Sequence, residues 1–164
     1  MKKVGKSTKK GFTLVELIVV LVILAVLAAM LVPALTGYIR RAKQEKDYQT
    51  ASVVYAAAQA VITEQYGLGT LNTTDSKIEL NEYKHKFKNG STDVEVDAVI
   101  DLAGVKLIDA TDTTSKDAGV SGYEFTYDST TYVITTGNVT IRNRGESVTY
   151  YLRADGSWGP TATA

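Results

Sequence analysis

Apolar and polar residues follow three successive patterns along the chain. Leu17 to Leu35 is apolar at every position if Pro33 is counted, a stretch long enough to reach across a hydrocarbon core of about 30 Å. The next stretch, "YIRRAKQEKDYQTASVVYAAAQAVITEQYG", confines its apolar residues to one side. Ala51, Val54, Ala58 and Val61 recur at spacings of three and four, Tyr55 and Ile62 flank them, and charges and glutamines take much of the other face. Gly67 and Gly69 then supply the left-handed kind of stop on which helices end. The first two patterns together predict one helix from Phe12 to Tyr66, about 80 Å long at 1.5 Å per residue. Its weak points are Pro33 and Gly37. Proline removes the amide that would bond to the carbonyl of Ala29, so a kink or local melting is expected there, with a tolerated membrane-helix proline as the plainer reading.

Beyond Gly67 the pattern changes to short segments separated by Gly, Asn, Asp, Ser and Thr. Four of them read as strands: Tyr123 to Asp128, Thr131 to Thr136, Val139 to Asn143 and Ser147 to Arg153. The links Ser129-Thr130, Gly137-Asn138 and Arg144 to Glu146 are short enough for an antiparallel meander, and Asp155-Gly156 marks a turn before Trp158. Such a sheet needs one face covered, and the Ala51 to Tyr66 stripe is the obvious cover. The expected fold is therefore α+β, a long N-terminal helix with a hydrophobic and an amphipathic half, packed on a small antiparallel sheet. Between helix and sheet, "STDVEVDAVIDLAGVKL" admits a short helix, with a capping box at Thr92 and Glu95 and with Val94, Ala98 and Leu102 at helical spacing. A strand over "VEVDAVI" is the alternative.

Composition narrows the function. The 164 residues suit one modest domain plus the apolar run. Net charge is zero, but Lys2, Lys3, Lys6, Lys9 and Lys10 crowd the first ten residues, which leaves thirteen basic against eighteen acidic side chains elsewhere. That balance gives no basis for direct nucleic-acid binding, which depends on clustered Lys and Arg. The absence of cysteine excludes disulfides and thiolate metal sites. The lone His85, among lysines, reads as a solvated loop residue. Asp109, Asp112 and Asp117, with Thr111, Thr113, Thr114 and Ser115, offer oxygen atoms to a calcium ion, but EF-hand spacing is missing and a solvated polar loop is the favoured reading. The ten tyrosines fall mostly in strand-like segments and are expected to pack on or flank the sheet. There is no phosphate-binding loop, nucleophile elbow or pair of catalytic carboxylates, and no enzyme is expected.

One residue in the apolar segment stands out. Glu16 is a carboxylate in a run where an acid at mid-membrane costs about 2.5–3.5 kcal/mol, so it needs a use or a partner. The surrounding string "KKGFTLVEL" combines a glycine, an aromatic residue directly after it, a threonine, a glutamate four positions beyond the aromatic, and a following apolar run. It resembles the class III leader and start of type IV prepilins and pseudopilins. The resemblance spans about the first 60 residues, and the rest matches in architecture. It implies a leader at 1–11, a hydrophobic membrane-spanning and filament-core helix at 12–39, an amphipathic continuation at 40–66, a variable connecting loop at 67–122, and a meander with its tail at 123–164.

It further implies cleavage between Gly11 and Phe12 by a peptidase that also N-methylates Phe12, with Glu16 as the family's acidic position and Pro33 at a common kink position. The implied partners are copies of the chain in a helical homopolymer, the prepilin peptidase and methyltransferase, and a membrane assembly platform with its cytoplasmic ATPase. The precursor would span the cytoplasmic membrane once with its N-terminus inside, and the mature subunit would lie in an extracellular pilus. A pseudopilin of a type II secretion or competence system, and a monomeric membrane-anchored binding domain, are the alternatives. No cofactor is implied, apart from the calcium known in some pseudopilins.

The residues give Glu16 a role without the family. Once cleaved, Phe12 would carry an amine four residues before Glu16, on the same helical face. At 4 Å, opposite charges attract by about 4 kcal/mol at an effective dielectric of 20, which matches the cost of bringing the acid into the apolar layer. Made between chains, the pair would set axial register. The plainer account is that a carboxylate in a first helical turn gains about 0.3–1 kcal/mol from the helix dipole.

Overall fold

The computed structural model describes residues 11–89, 92–111, 117–143 and 145–161. Its elements are α1 (Leu14–Leu68), β1 (Lys77–Glu79), β2 (Lys84–Asn89), β3 (Thr92–Asp97), α2 (Ala98–Ala103), β4 (Ala118–Tyr127), β5 (Ile134–Asn143), β6 (Glu146–Leu152) and β7 (Trp158–Gly159). The chain divides into two compact units after Lys43.

Among its described residues the first unit is the apolar part of α1. Its large side chains from Leu14 to Ile39 are all exposed, and the helix is long and apolar enough to cross a membrane. Helical backbone continues through Pro33 and Gly37, so local melting at the proline does not occur. The Thr36 hydroxyl donates to the Val32 carbonyl at 2.9 Å, adding a local hydrogen bond on the turn that holds Pro33.

In the second unit the periodic stripe is the core face of the helix. Ala51, Val54, Ala57, Ala58, Val61 and Ile62 are buried in one cluster with Ile78, Phe125, Tyr127, Val139, Ile141 and Trp158 of the sheet. Burying each Val, Ile or Phe contributes about 1.5–3 kcal/mol, whereas the alanines contribute chiefly close approach. The helix ends in a Schellman motif. Gly69, at φ +68°, donates to the Tyr66 carbonyl at 3.1 Å and Thr70 donates to that of Gln65 at 3.0 Å. Gly67 is still helical, so only the second of the two glycines acts as the stop.

The sheet has the order β1-β4-β5-β6-β7, antiparallel throughout. The meander is present, but the two middle strands expected from sequence are one. Gly137-Asn138, read as a turn, lies inside β5, with Gly137 opposite Phe125. A Cβ at 137 would collide with the Phe125 ring and come within 2.8 Å of the Glu124 carbonyl, so this glycine makes room for a ring and does not reverse the chain. The reversal falls at Asp128–Val133. There the Asp128 carboxylate accepts the amides of Thr131 (2.7 Å) and Thr130 (2.9 Å), and the Asp128 amide donates to the Val133 carbonyl at 2.9 Å. These bonds, Thr131's first, hold the Asp128 carboxyl below its usual range. Gln59 fastens the turn to the helix: its Nε2 donates to the Tyr132 carbonyl (2.8 Å) and its Oε1 accepts from the Ile134 amide (2.9 Å).

The connecting region is more ordered than expected. β2 and β3 form a separate two-stranded antiparallel sheet with Lys84 opposite Asp97, Lys86 opposite Glu95 and Lys88 opposite Asp93. Lys86 Nζ lies 2.8 Å from Glu95 Oε1. Both readings of "VEVDAVI" are half right, since Thr92–Asp97 is strand and Ala98–Ala103 is helix. The expected capping box at Thr92 and Glu95 is not the helix start. Asp97 is the N-cap, accepting from the Ile100 amide at 2.9 Å, and Val94 belongs to the strand. Asp97 is buried and also accepts from the Asn81 amide (2.6 Å) and the Tyr123 hydroxyl (2.9 Å). This one carboxylate therefore ties the β1–β2 connection, α2 and β4 together.

Candidate functional site

The residues expected to act in processing and assembly lie together at the start of α1. Gly11 and Phe12 precede the helix in exposed, non-helical backbone. Among the described residues a Cβ added at Gly11 would meet no atom within 4 Å, and the Phe12 ring is exposed. The basic residues Lys2 to Lys10 of the expected leader lie outside the described residues.

Glu16 is engaged with its own helix end. The Thr13 amide and hydroxyl both donate to Glu16 Oε2, at 2.9 and 2.7 Å, and the Glu16 amide donates back to Thr13 Oγ1 at 3.3 Å. This reciprocal arrangement is a capping box, satisfying donors that a helix start leaves over. The sequence carries its signature, Thr13-x-x-Glu16 immediately before the apolar run, and the expectation from charge alone passed over it. Both hydrogen bonds to the carboxylate fall on one oxygen, Oε2. Oε1 makes no hydrogen bond among the described residues and is available to a cation from outside the helix.

In the head, the described candidate residues each have protein partners. His85 is not a solvated loop residue: it sits in β2 with Nδ1 2.8 Å from Asp101 Oδ2 and Nε2 3.8 Å from Glu64 Oε2. The two carboxylates take opposite ring nitrogens, so the three side chains do not converge on a common point. Of the calcium candidates, Asp112, Thr113, Thr114 and Ser115 lie outside the described residues. Asp109 accepts from the Thr111 amide at 2.8 Å, and Asp117 pairs with Lys106. The carbonyls of Asp109 and Ala110 accept from Arg142 Nη1 at 3.0 and 3.3 Å, which places a protein cation on that loop. Among the described residues no group of three His, Cys, Asp or Glu could hold a metal ion. Burial pushes the Tyr123 and Tyr150 phenols up from their ordinary range. Asp97 adds to the effect at Tyr123, and at Tyr150 so does Asp47, whose carboxylate accepts the hydroxyl at 2.8 Å.

The family model described as the prokaryotic N-terminal methylation motif matches residues 6–32. That span takes in Gly11, Phe12, the Thr13–Glu16 box and most of the apolar run. No curated protein and no solved structure matches the chain. The chain thus carries the prokaryotic N-terminal methylation motif at the head of an apolar helix, with the α1 stripe packed on an antiparallel sheet, an arrangement consistent with the type IV pilin and pseudopilin family.

Proposed function

We propose that the chain is a structural subunit of a type IV pilus. It is stored in the cytoplasmic membrane with its N-terminus inside, cleaved between Gly11 and Phe12, N-methylated at Phe12 and assembled into an extracellular fibre. Its work is assembly, with no catalytic role. Its partners are other copies of itself, the prepilin peptidase and methyltransferase, and a membrane platform driven by an ATPase. The observation that carries this reading is the junction itself: a Gly11-Phe12 bond in non-helical backbone, with Phe12 four residues before a carboxylate that commits one oxygen to Thr13 and leaves the other without a hydrogen bond among the described residues. Cleavage would convert a neutral peptide amide into an ammonium at the position from which a neighbour's Oε1 is reachable.

The fully exposed apolar surface from Leu14 to Ile39 supports the same reading. In lipid it is solvated by acyl chains, and outside the membrane it requires a bundle of like helices to cover it. Negative-stain microscopy of a strain deleted for this chain provides the test. Loss of surface fibres, restored by the wild-type chain but not by a Gly11 variant that blocks cleavage, is expected. Intact fibres with a defect confined to protein secretion or DNA uptake would favour a pseudopilin. No defect in any of these would favour a monomeric anchored domain.

A further inference from the structure

We propose that Arg40, Arg41 and Lys43, at the far end of the apolar segment, bind anionic phospholipid headgroups. This inference rests on α1 crossing a membrane and is independent of whether the chain assembles into fibres. The wholly apolar run from Leu17 to Leu35 has nineteen residues, about 28 Å of helix, which matches a hydrocarbon core of about 30 Å. Helical backbone continues beyond it, so the three cations stand about 8–12 Å past Leu35. The headgroup layer is about 5–8 Å deep on each side of the core, and long basic side chains reach back into it with their charged ends. Tyr38, exposed just before them, is of a type enriched at the membrane–water boundary.

The three side chains lack protein partners. All are exposed, and none makes a hydrogen bond or ion pair among the described residues. No acidic residue stands between Glu16 and Glu45, so nothing in the apolar segment offsets their charge. At 100° per residue, Arg41 and Lys43 fall on either side of Arg40, about 160° apart, and Tyr38 projects from nearly the opposite side. Polar ends spread so widely around one helix suit a layer that surrounds it better than a partner docked on one face.

The chemistry of the three groups selects the lipid class. A guanidinium fork matches two oxygens of a phosphate, and an ammonium adds a point charge. In a zwitterionic headgroup the phosphate is offset by its own ammonium, whereas in phosphatidylglycerol it carries a net charge. Clustered Lys and Arg beside a membrane helix therefore draw the anionic lipid, through an attraction that salt screens within a Debye length.

Full-length chain is reconstituted in phosphatidylcholine vesicles with a trace of spin-labelled phosphatidylglycerol or spin-labelled phosphatidylcholine. The motionally restricted fraction of each label measures its preference for the helix over bulk lipid. A several-fold preference for the phosphatidylglycerol label is expected, falling as salt is added. Arg40→Gln, Arg41→Gln and Lys43→Gln together should remove most of it. Lys2→Gln, Lys3→Gln, Lys6→Gln, Lys9→Gln and Lys10→Gln together control for the other basic cluster and should leave a clear preference. Both variants should still float with the vesicles on a density gradient. Equal restriction of the two labels by the wild-type chain, or a preference unchanged in the Arg40, Arg41 and Lys43 variant, would overturn the proposal. Loss of fibres from that variant with its lipid preference intact would also overturn it, in favour of an acidic face on a neighbouring copy. A wild-type chain that does not float with the vesicles would overturn the membrane-spanning reading beneath it.

Discussion

Glu16→Ala is expected to leave the precursor in the membrane and cleaved, while surface fibres are lost. In an assembled bundle the variant would strand a neighbour's Phe12 ammonium in an apolar layer. Removing one partner of a buried ion pair costs about 3–5 kcal/mol, and each 1.4 kcal/mol is tenfold in an association constant. Per subunit the assembly constant should fall by about a hundred- to several-thousand-fold. The capping box supplies the rival explanation, since alanine also removes the acceptor of the Thr13 amide and hydroxyl.

Glu16→Gln separates the two. Glutamine keeps a side-chain oxygen for Thr13 and loses the charge, so it should fail to assemble as alanine does. Thr13→Val keeps the charge and breaks the box, and should still build fibres. Fibre yield from sheared cells, with immunoblots of the membrane fraction for processing, reads all three. Normal fibres from Glu16→Gln would leave the box as the whole role of the carboxylate.

In the head the largest loss is expected at Asp97. Asp97→Ala would leave the Tyr123 hydroxyl and the Asn81 and Ile100 amides without their shared acceptor. Orphaned buried donors cost about 1–3 kcal/mol each, so a loss of about 3 kcal/mol or more is expected from a total of about 5–15 kcal/mol for a domain. Lys86→Ala, at an exposed pair with Glu95, should cost far less, because solvent screens exposed ion pairs. Urea unfolding of the full chain in detergent, followed by Trp158 emission, compares them, and equal losses at both sites would contradict the hub role of Asp97.

The same carboxylate shapes the alkaline limb. Burial first, then the charge of Asp97, holds the Tyr123 phenol above the ordinary value of 10. The folded state therefore binds that proton more tightly than the unfolded chain. Its contribution is complete below pH 10 and is lost as pH rises from there through the higher folded value. Asp97→Ala should bring Tyr123 ionisation to lower pH.

The long helix and its core stripe were legible because period and burial coincide: Ala51, Val54, Ala58 and Val61 recur at three and four and all are buried. The methylation motif was legible because it lies in a short contiguous string. What escaped depended on partners distant in sequence. Gly137 has the composition of a turn, and only the Phe125 ring opposite explains why it sits in mid-strand. Asp97 gives no local sign that Tyr123 and Asn81 converge on it. The β2–β3 pairing did leave a trace, since alternating lysines in "KHKFKN" fall in register with alternating acids in "DVEVD", and opposite charges in register stabilise such pairs. His85 was misplaced for the same reason, because its carboxylate partners come from α1 and α2.

The most direct test of the account is the intact mass and N-terminal sequence of this polypeptide recovered from sheared, purified fibres. The account predicts a chain that begins at Phe12 with a methylated amine. A chain that retains its lysine-rich prefix, begins downstream of Met30, or is missing from the fibres would contradict it.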